Sequence, residues 1–320
     1  MNEHTDTIDI LMATYNAEKY LREQIDSILN QSHKYIRLII SDDNSTDSTP
    51  EILKEYENKY NNISVILNSE NVGVIKNFSN LIKLSTAPYI AFSDHDDVWL
   101  ENKMEVSLKE IKALENKYKN QKEERSKNFS HPLLVFTDKF VTDSNLNIVS
   151  SSHMKYEKLN GKNLSLNRIL TQNAVSGCAM LINRDLLDIF KDFNKSTIMH
   201  DYYLTILAAT FGHISFIPES LMLYRQHNNN EIGSSKYSAL SLISKNKENA
   251  RNSFLKNIYQ AESIYNEYKN IILKKEKRIF EEFISLKNKR NIRFILTCIK
   301  NKFFKKGLIR NIGLYVLFLK

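Results

Sequence analysis

Three polar clusters each follow directly on a short apolar run: Ala13-Thr14-Tyr15-Asn16, then Asp42-Asp43-Asn44-Ser45-Thr46-Asp47, then Asp94-His95-Asp96-Asp97. A lone carboxylate at a strand end forms a turn or caps a helix, and Asp47 suits that use. Several converging at one edge would repel and raise one another's pKa unless a cation or hydrogen-bond donors sat among them. A hard divalent ion answers the need. Mg2+ or Mn2+ takes carboxylate oxygens from one or two aspartates and shares its other positions with substrate phosphates. Asp94-His95-Asp96 has that spacing, and the ion would neutralise a diphosphate and help it leave, a Lewis-acid role. The D-x-D triplet alone arises often by chance; its place at a strand end gives it weight.

These clusters need a scaffold. Residues 8–13, 36–41, 63–67 and 89–93 read as buried strands. Between them lie helices: Leu21, Ile25, Ile28 and Leu29 form one apolar stripe, and Ser48-Thr49-Pro50-Glu51 supplies a hydroxyl cap and an early proline. The alternation predicts an α/β fold with right-handed crossovers, a mostly parallel sheet flanked by helices, and ligands at the carboxyl ends of the strands. A long charged helix is expected from about Leu100, a polar helix end and surface loop over residues 116–130, further strands at 133–136 and 179–183, and a helix over 201–211.

With 320 residues, 42% hydrophobic and 26% charged, the chain can bury a full core. Its net charge of +8 favours an anionic partner: nucleic acid, phospholipid headgroups or a substrate diphosphate. The two cysteines, Cys178 and Cys298, have neither zinc-site spacing nor a disulfide framework, so a reducing cytoplasm is expected. The first residues lack the order of a secretory signal and no apolar run reaches spanning length, so a cytosolic or peripheral protein is expected.

The set Ala13-Thr14-Tyr15-Asn16, Ser41 to Asp47, Asn71-Val72-Gly73 with Lys76-Asn77, and Phe92 to Trp99 closely resembles, in order and spacing, the family 2 glycosyltransferases with the GT-A fold. Asn173 to Gly177, Met199-His200-Asp201-Tyr202-Tyr203 and Leu223 to His227 look like the acceptor half of bacterial rhamnosyltransferases of surface polysaccharide synthesis. The resemblance covers about the first 230 residues. It implies a Rossmann-like GT-A domain over residues 1–230, with a nucleotide-sugar-binding half at 1–115 and an acceptor half at 131–230; residues 231–320, where lysine, asparagine, isoleucine and leucine prevail without proline from Ser238, read separately as a helical, basic, amphipathic extension.

Carried across by residue, the resemblance implies that Thr14, Tyr15 and Asn16 line the nucleoside pocket, that Asp42 reads the base edge and that Asp43 supports the same loop. Asn71, Gly73 and Lys76 would border the nucleotide. Asp94 would face ribose or metal, Asp96 would bind Mn2+ or Mg2+, and Arg225 and His227 would meet the diphosphate or the metal. Asp201 would be the general base, at a helix start where an aspartate also makes a good cap. Two departures stand out: His95 replaces the more usual glutamine, and Tyr202-Tyr203 replace paired tryptophans, which would leave a sugar-stacking surface with hydroxyls. The implied activity is metal-dependent inverting transfer of a sugar from a nucleoside diphosphate, dTDP-rhamnose or a UDP-hexose, to a glycan or lipid-linked acceptor. Capsule, O-antigen or a similar surface polysaccharide would be the product.

In the tail, residues 291–320 interleave apolar residues with lysines and arginines, and no acidic residue follows Glu282. That reads as an interfacial helix giving peripheral contact with the inner face of the cell membrane, against the alternative of a helix packed on the domain. A non-catalytic sugar-nucleotide-binding scaffold is the rival function; it would need Thr14 and Asp42 but neither Asp96 nor Asp201. Nucleic-acid binding is disfavoured because the basic residues concentrate in the tail while the site edge is acidic. Nucleotidyl transfer would differ by releasing pyrophosphate.

Overall fold

Four parallel strands carry the N-terminal half in the computed structural model, which describes residues 5–119, 131–227 and 247–319. They are β1 (Ile8–Thr14), β2 (Ile36–Asp42), β3 (Ile63–Leu67) and β4 (Tyr89–Ser93), joined by helices α1 (Leu21–Leu29), α2 (Thr49–Lys59) and α3 (Val74–Leu84). Apolar runs this short and continuous suit strands covered on both faces. Period-two alternation divides them: Ile8, Ile10 and Met12 join one apolar cluster and Leu11 the other.

The chain then adds β5 (Val98–Trp99), α4 (Lys103–Tyr118), β6 (Leu133–Thr142), β7 (Ile148–Ser150), α5 (His153–Tyr156), α6 (Leu166–Thr171), β8 (Met180–Asn183), α7 (Arg184–Ile189), α8 (His200–Phe211) and β9 (His213–Arg225). The sheet order is β3-β2-β1-β4-β8-β6-β9-β5, with β7 on the side of β6. It is mixed: β8 runs antiparallel to both β4 and β6, while β6 and β9 are parallel. After β1 the chain builds outward through β2 and β3, then returns to add β4 on the other flank of β1. Connections therefore leave in opposite directions from the carboxyl ends of β1 and β4, which opens a crevice there.

β6 runs past the expected residues 133–136 to Thr142. Asp138 and Lys139 interrupt the apolar pattern yet are buried, and Asp138 is satisfied by the Ser152 hydroxyl at 2.5 Å and the Met154 amide at 3.1 Å. Most of the expected surface loop, residues 120–130, lies outside the described residues, as does the expected junction near residue 230.

The C-terminal part comprises α9 (Lys247–Tyr268), α10 (Lys274–Ser285), α11 (Asn291–Lys300) and α12 (Leu308–Val316). Where the sequence suggests one interfacial helix over 291–320 there are two, separated at Gly307, whose φ of +92° is a conformation glycine adopts without strain. Phe254, Phe280, Phe283, Phe294 and Phe318 share an apolar cluster with Leu204 and Leu207 of α8. The C-terminal helices thus continue the core to which α8 belongs, each buried phenylalanine contributing about 1.5–3 kcal/mol.

Candidate active site

The crevice between β1 and β4 opens into a cleft of about 1030 Å3. Its near wall is the β1 turn. Thr14 Oγ1 donates to Asp42 Oδ1 at 2.9 Å, fastening β1 to β2. Asn16 holds φ at +46°, which asparagine tolerates, so that its Oδ1 accepts the Thr46 amide at 2.9 Å while its own amide donates to Ser45 Oγ at 2.8 Å. Thr14, Tyr15 and Asn16 all line the cleft. Asp42 does not: it is buried, and its oxygens accept from Thr14 and from the amide and hydroxyl of Ser45, so it shapes the wall without forming it. Asp47 is a turn former, accepting the amides of Thr49 and Glu18.

Asp43 holds the next loop. One oxygen accepts the Val72 amide and the other the Gly73 amide, each at 2.8 Å, and this draws Asn71 and Gly73 to the cleft. Gly73, at φ +82°, leads into α3. Lys76, one helical turn later, is exposed and faces a separate shallow groove with Asp192 and Phe193. The structure does not bring it to the cleft.

After β4, Asp94, His95 and Asp96 face the cleft while Asp97 is wholly buried. His227, just past β9, sets Nε2 2.9 Å from Asp96 Oδ2, and its ring lies 4.9 Å from that of Tyr20. Arg225 is not among the cleft residues. Its Nε donates to the Asp96 carbonyl at 2.7 Å, its Nη1 to the Ser144 carbonyl at 2.8 Å and its Nη2 to Glu23 at 2.5 Å, and the guanidinium lies over the Tyr20 ring. The fork is occupied in bracing the acidic loop from behind.

Two buried lysines were not foreseen. Lys103 Nζ sits 3.2 Å from the centre of the Trp99 ring, and Lys139 Nζ sits 3.4 Å from that of Tyr224 while donating to Ser176 Oγ at 2.9 Å. Burial pulls Lys103 down to about 7, opposed by Cys178, Asp97 and Asp94. Burial raises Asp94 and Asp97, and their carboxylate neighbours raise them further, while Lys139 lowers both. Ligand atoms of Asp94, Asp97 and Cys178 lie within 4.8 Å of one another. Lys139, and Lys103 in its protonated fraction, stand beside this inner trio, so part of its counter-charge comes from the chain itself. The cleft-facing atoms differ. Asp96 Oδ2 and His227 Nε2 are spaced like adjacent vertices of an octahedral ion with bonds of about 2.1 Å, and Asp94 opens to the same space. Trp99 ends β5 and Lys103 opens α4, so no helical spacing links them, and no sequence pattern flagged either lysine.

On the far wall, Asp201 stands in the first turn of α8 and accepts the Gly177 amide on Oδ2 at 3.0 Å. Burial pushes its carboxyl up to about 6, against the pull of the Gly177 and Tyr202 amides. His200 beside it is buried, its ring 4.0 Å from that of Phe78, and burial drives it down to about 3, so it is neutral. Asp201, Asp94 and Asp96 line one cleft. The expected sugar-stacking surface from Tyr202 and Tyr203 is absent: both are buried, donating to the carbonyls of Ile169 and Leu170 and to Glu267 respectively. Their apolar rings serve the core beneath α8, and their hydroxyls find partners there.

The model of glycosyl transferase family 2 matches residues 9–233. The dTDP-rhamnosyl transferase RfbG of Shigella flexneri is 34% identical over 258 residues, 72% of this chain and 78% of that protein. Among solved structures, S. aureus TarS 1-349 in complex with UDP-GlcNAc superposes with a TM-score of 0.52 at 19% identity, covering 92% of this chain and 80% of that one. The mannosyltransferase PcManGT from Pyrobaculum calidifontis, in complex with GDP-Man and Mn2+, gives 0.54 at 12% identity, covering 92% and 72%. At these identities the solved structures speak to the fold.

Proposed function

The chain belongs to glycosyl transferase family 2, and from that membership we propose that it transfers a sugar from a nucleoside diphosphate to a lipid-linked or oligosaccharide acceptor, inverting the anomeric carbon. dTDP-rhamnose is the first donor to test, because the RfbG name specifies it; a UDP-hexose is second, because TarS is solved with UDP-GlcNAc. The product would be a capsule, O-antigen or related surface polysaccharide, made at the inner face of the cell membrane. One observation carries the reading: Asp96 and Asp201, 105 residues apart in sequence, face the same cleft.

In this reading Thr14, Tyr15, Asn16, Asn71 and Gly73 border the nucleoside, with Asp42 and Asp43 fixing those loops. Asp94, Asp96 and His227 would hold a divalent ion. Two carboxylates and an imidazole suit Mn2+, whereas Mg2+ prefers oxygen ligands alone. Such an ion, when bound, neutralises the departing diphosphate. Asp201 takes the proton of the acceptor hydroxyl, for which a carboxylate titrating near 6 is better matched than an ordinary one. The acceptor oxygen bonds to the anomeric carbon opposite the nucleotide, the bond from that carbon to the diphosphate oxygen breaks, and the nucleoside diphosphate leaves with the electron pair. One displacement inverts the centre. Orientation in the cleft and electrostatics supply most of the acceleration.

The test is a panel of dTDP-, UDP- and GDP-sugars with Mn2+ or Mg2+, monitored for nucleoside diphosphate release. The reading expects one donor class to be turned over with metal dependence, and pyrophosphate release or no turnover of any donor would overturn it.

A further inference from the structure

The two last described helices are apolar on both sides. Toward the domain, α11 buries Phe294 and Cys298, and α12 buries Leu314. Away from it, Ile292, Leu296 and Ile299 form an i, i+4, i+7 stripe on α11, and Leu308, Ile309, Ile312 and Val316 form a second stripe on α12, all exposed, with Leu308 at 77%. Scattered exposed apolar residues are ordinary; two helical stripes of them mark an interaction surface. Arg293, Lys300 and Lys302 are exposed among them. Beyond Glu282 the sequence carries ten lysines and arginines and no acidic residue.

We propose that the outward stripes of α11 and α12 seat the enzyme on an anionic lipid surface. Charge selects this occupant. A symmetric contact between two copies would set each basic patch against itself, which like-charge repulsion disfavours, whereas anionic headgroups complement the rim and acyl chains accept the stripes. No described helix is long and apolar enough to cross a membrane, so the seating is peripheral.

The segment that joins these two helices is bolted to the acceptor half. Asn167 Nδ2 donates to the Asn301 carbonyl at 2.8 Å, Arg168 Nη1 to the Phe304 carbonyl at 3.0 Å, and Lys306 Nζ to the Leu159 carbonyl at 2.6 Å. Asn167 and Arg168 lie on α6, whose Ile169 and Leu170 carbonyls accept from Tyr202, next to Asp201. The lipid-facing module is therefore fixed to the elements that carry the base, and the acceptor is one presented at the bilayer surface. This last step rests on the transfer reading above; the seating itself does not.

The test is cosedimentation of the full chain with phosphatidylcholine vesicles, with and without phosphatidylglycerol, alongside donor turnover in solution. Binding is expected only to the anionic vesicles and to weaken with salt. Replacing Arg293, Lys300 and Lys302 by glutamine should weaken it about a hundredfold, at roughly fivefold per basic residue. Leu296→Ser with Ile312→Ser should weaken it while leaving solution donor turnover unchanged. Equal sedimentation with neutral and anionic vesicles, no sedimentation at all, or a dimer that the serine variant dissociates would each overturn the seating. Loss of donor turnover in the wild type would instead count against the transfer reading.

Discussion

His227 stands 131 residues after Asp96 in the chain and sets its Nε2 2.9 Å from the Asp96 Oδ2, closing the end of β9 over the acidic loop. Arg225, two residues earlier, braces that loop through the Asp96 carbonyl, so the strand delivers both a support and a candidate ligand. His227→Ala should raise the Mn2+ concentration for half-maximal donor turnover by at least about tenfold, without abolishing turnover at saturating metal. Titration of nucleoside diphosphate release with Mn2+ reads this directly, and an unchanged titration would remove His227 from the ligand set.

Asp201 makes opposite demands on activity and stability. In the proposed role of base it must be ionised, so kcat/KM should fall as the pH drops through about 6. Its folded pKa lies above the ordinary 3.8, so the folded protein favours the protonated form: that stabilisation is complete below 3.8 and is lost as the pH rises through about 6. At pH 7, Asp201→Asn should therefore raise Tm, by about 2–4 °C. Thermal melts check the sign, and a lowered Tm would contradict a carboxylate held against the cost of burial.

Lys139 acts on the same carboxylate from behind the cleft floor, lowering the pKa of Asp201 as well as those of Asp94 and Asp97. Lys139→Met should shift the acidic limb of the pH profile upward, and Lys139→Arg should restore much of it. A limb that stays in place while stability falls would leave Lys139 a purely structural residue.

Gly177 is tightly constrained. A methyl group there would come 2.4 Å from His200 Nε2, and the His200 ring is packed against Phe78 and Phe92. Gly177→Ala should cost about 1–3 kcal/mol in urea unfolding and lower kcat by displacing the amide that holds Asp201. Wild-type stability and turnover would show that the ring can yield.

Much of the parallel half was legible because its strands read as short, nearly unbroken apolar runs: residues 63–67 and 89–93 were expected and found without change, although β3, at the sheet edge, leaves Ser64 and Leu67 exposed. The acidic loops were legible for a related reason, since parallel strands deliver their carboxyl ends to one edge. The rest depended on tertiary burial of residues that look like surface. Lys139 and Asp138 masked the length of β6, and the thirteen residues of β9 were not expected as a strand because His213, Ser215, Glu219 and Ser220 break their apolar pattern. Tyr202 and Tyr203 stand where the family resemblance implied a sugar-stacking surface, but α8 is buried nearly all round and turns them into its core. A cation or hydrogen-bond donors were expected among the carboxylates; the lysines Lys103 and Lys139 buried beside them were not.

The central claim is that Asp201 removes the acceptor proton in the cleft it shares with Asp96. Its most direct test compares wild type and Asp201→Asn for sugar transfer at saturating donor, metal and acceptor, with donor affinity measured on both. Transfer should fall about a hundred- to ten-thousand-fold in the variant while donor affinity stays at the wild-type value. Equal transfer by the two proteins would contradict the account.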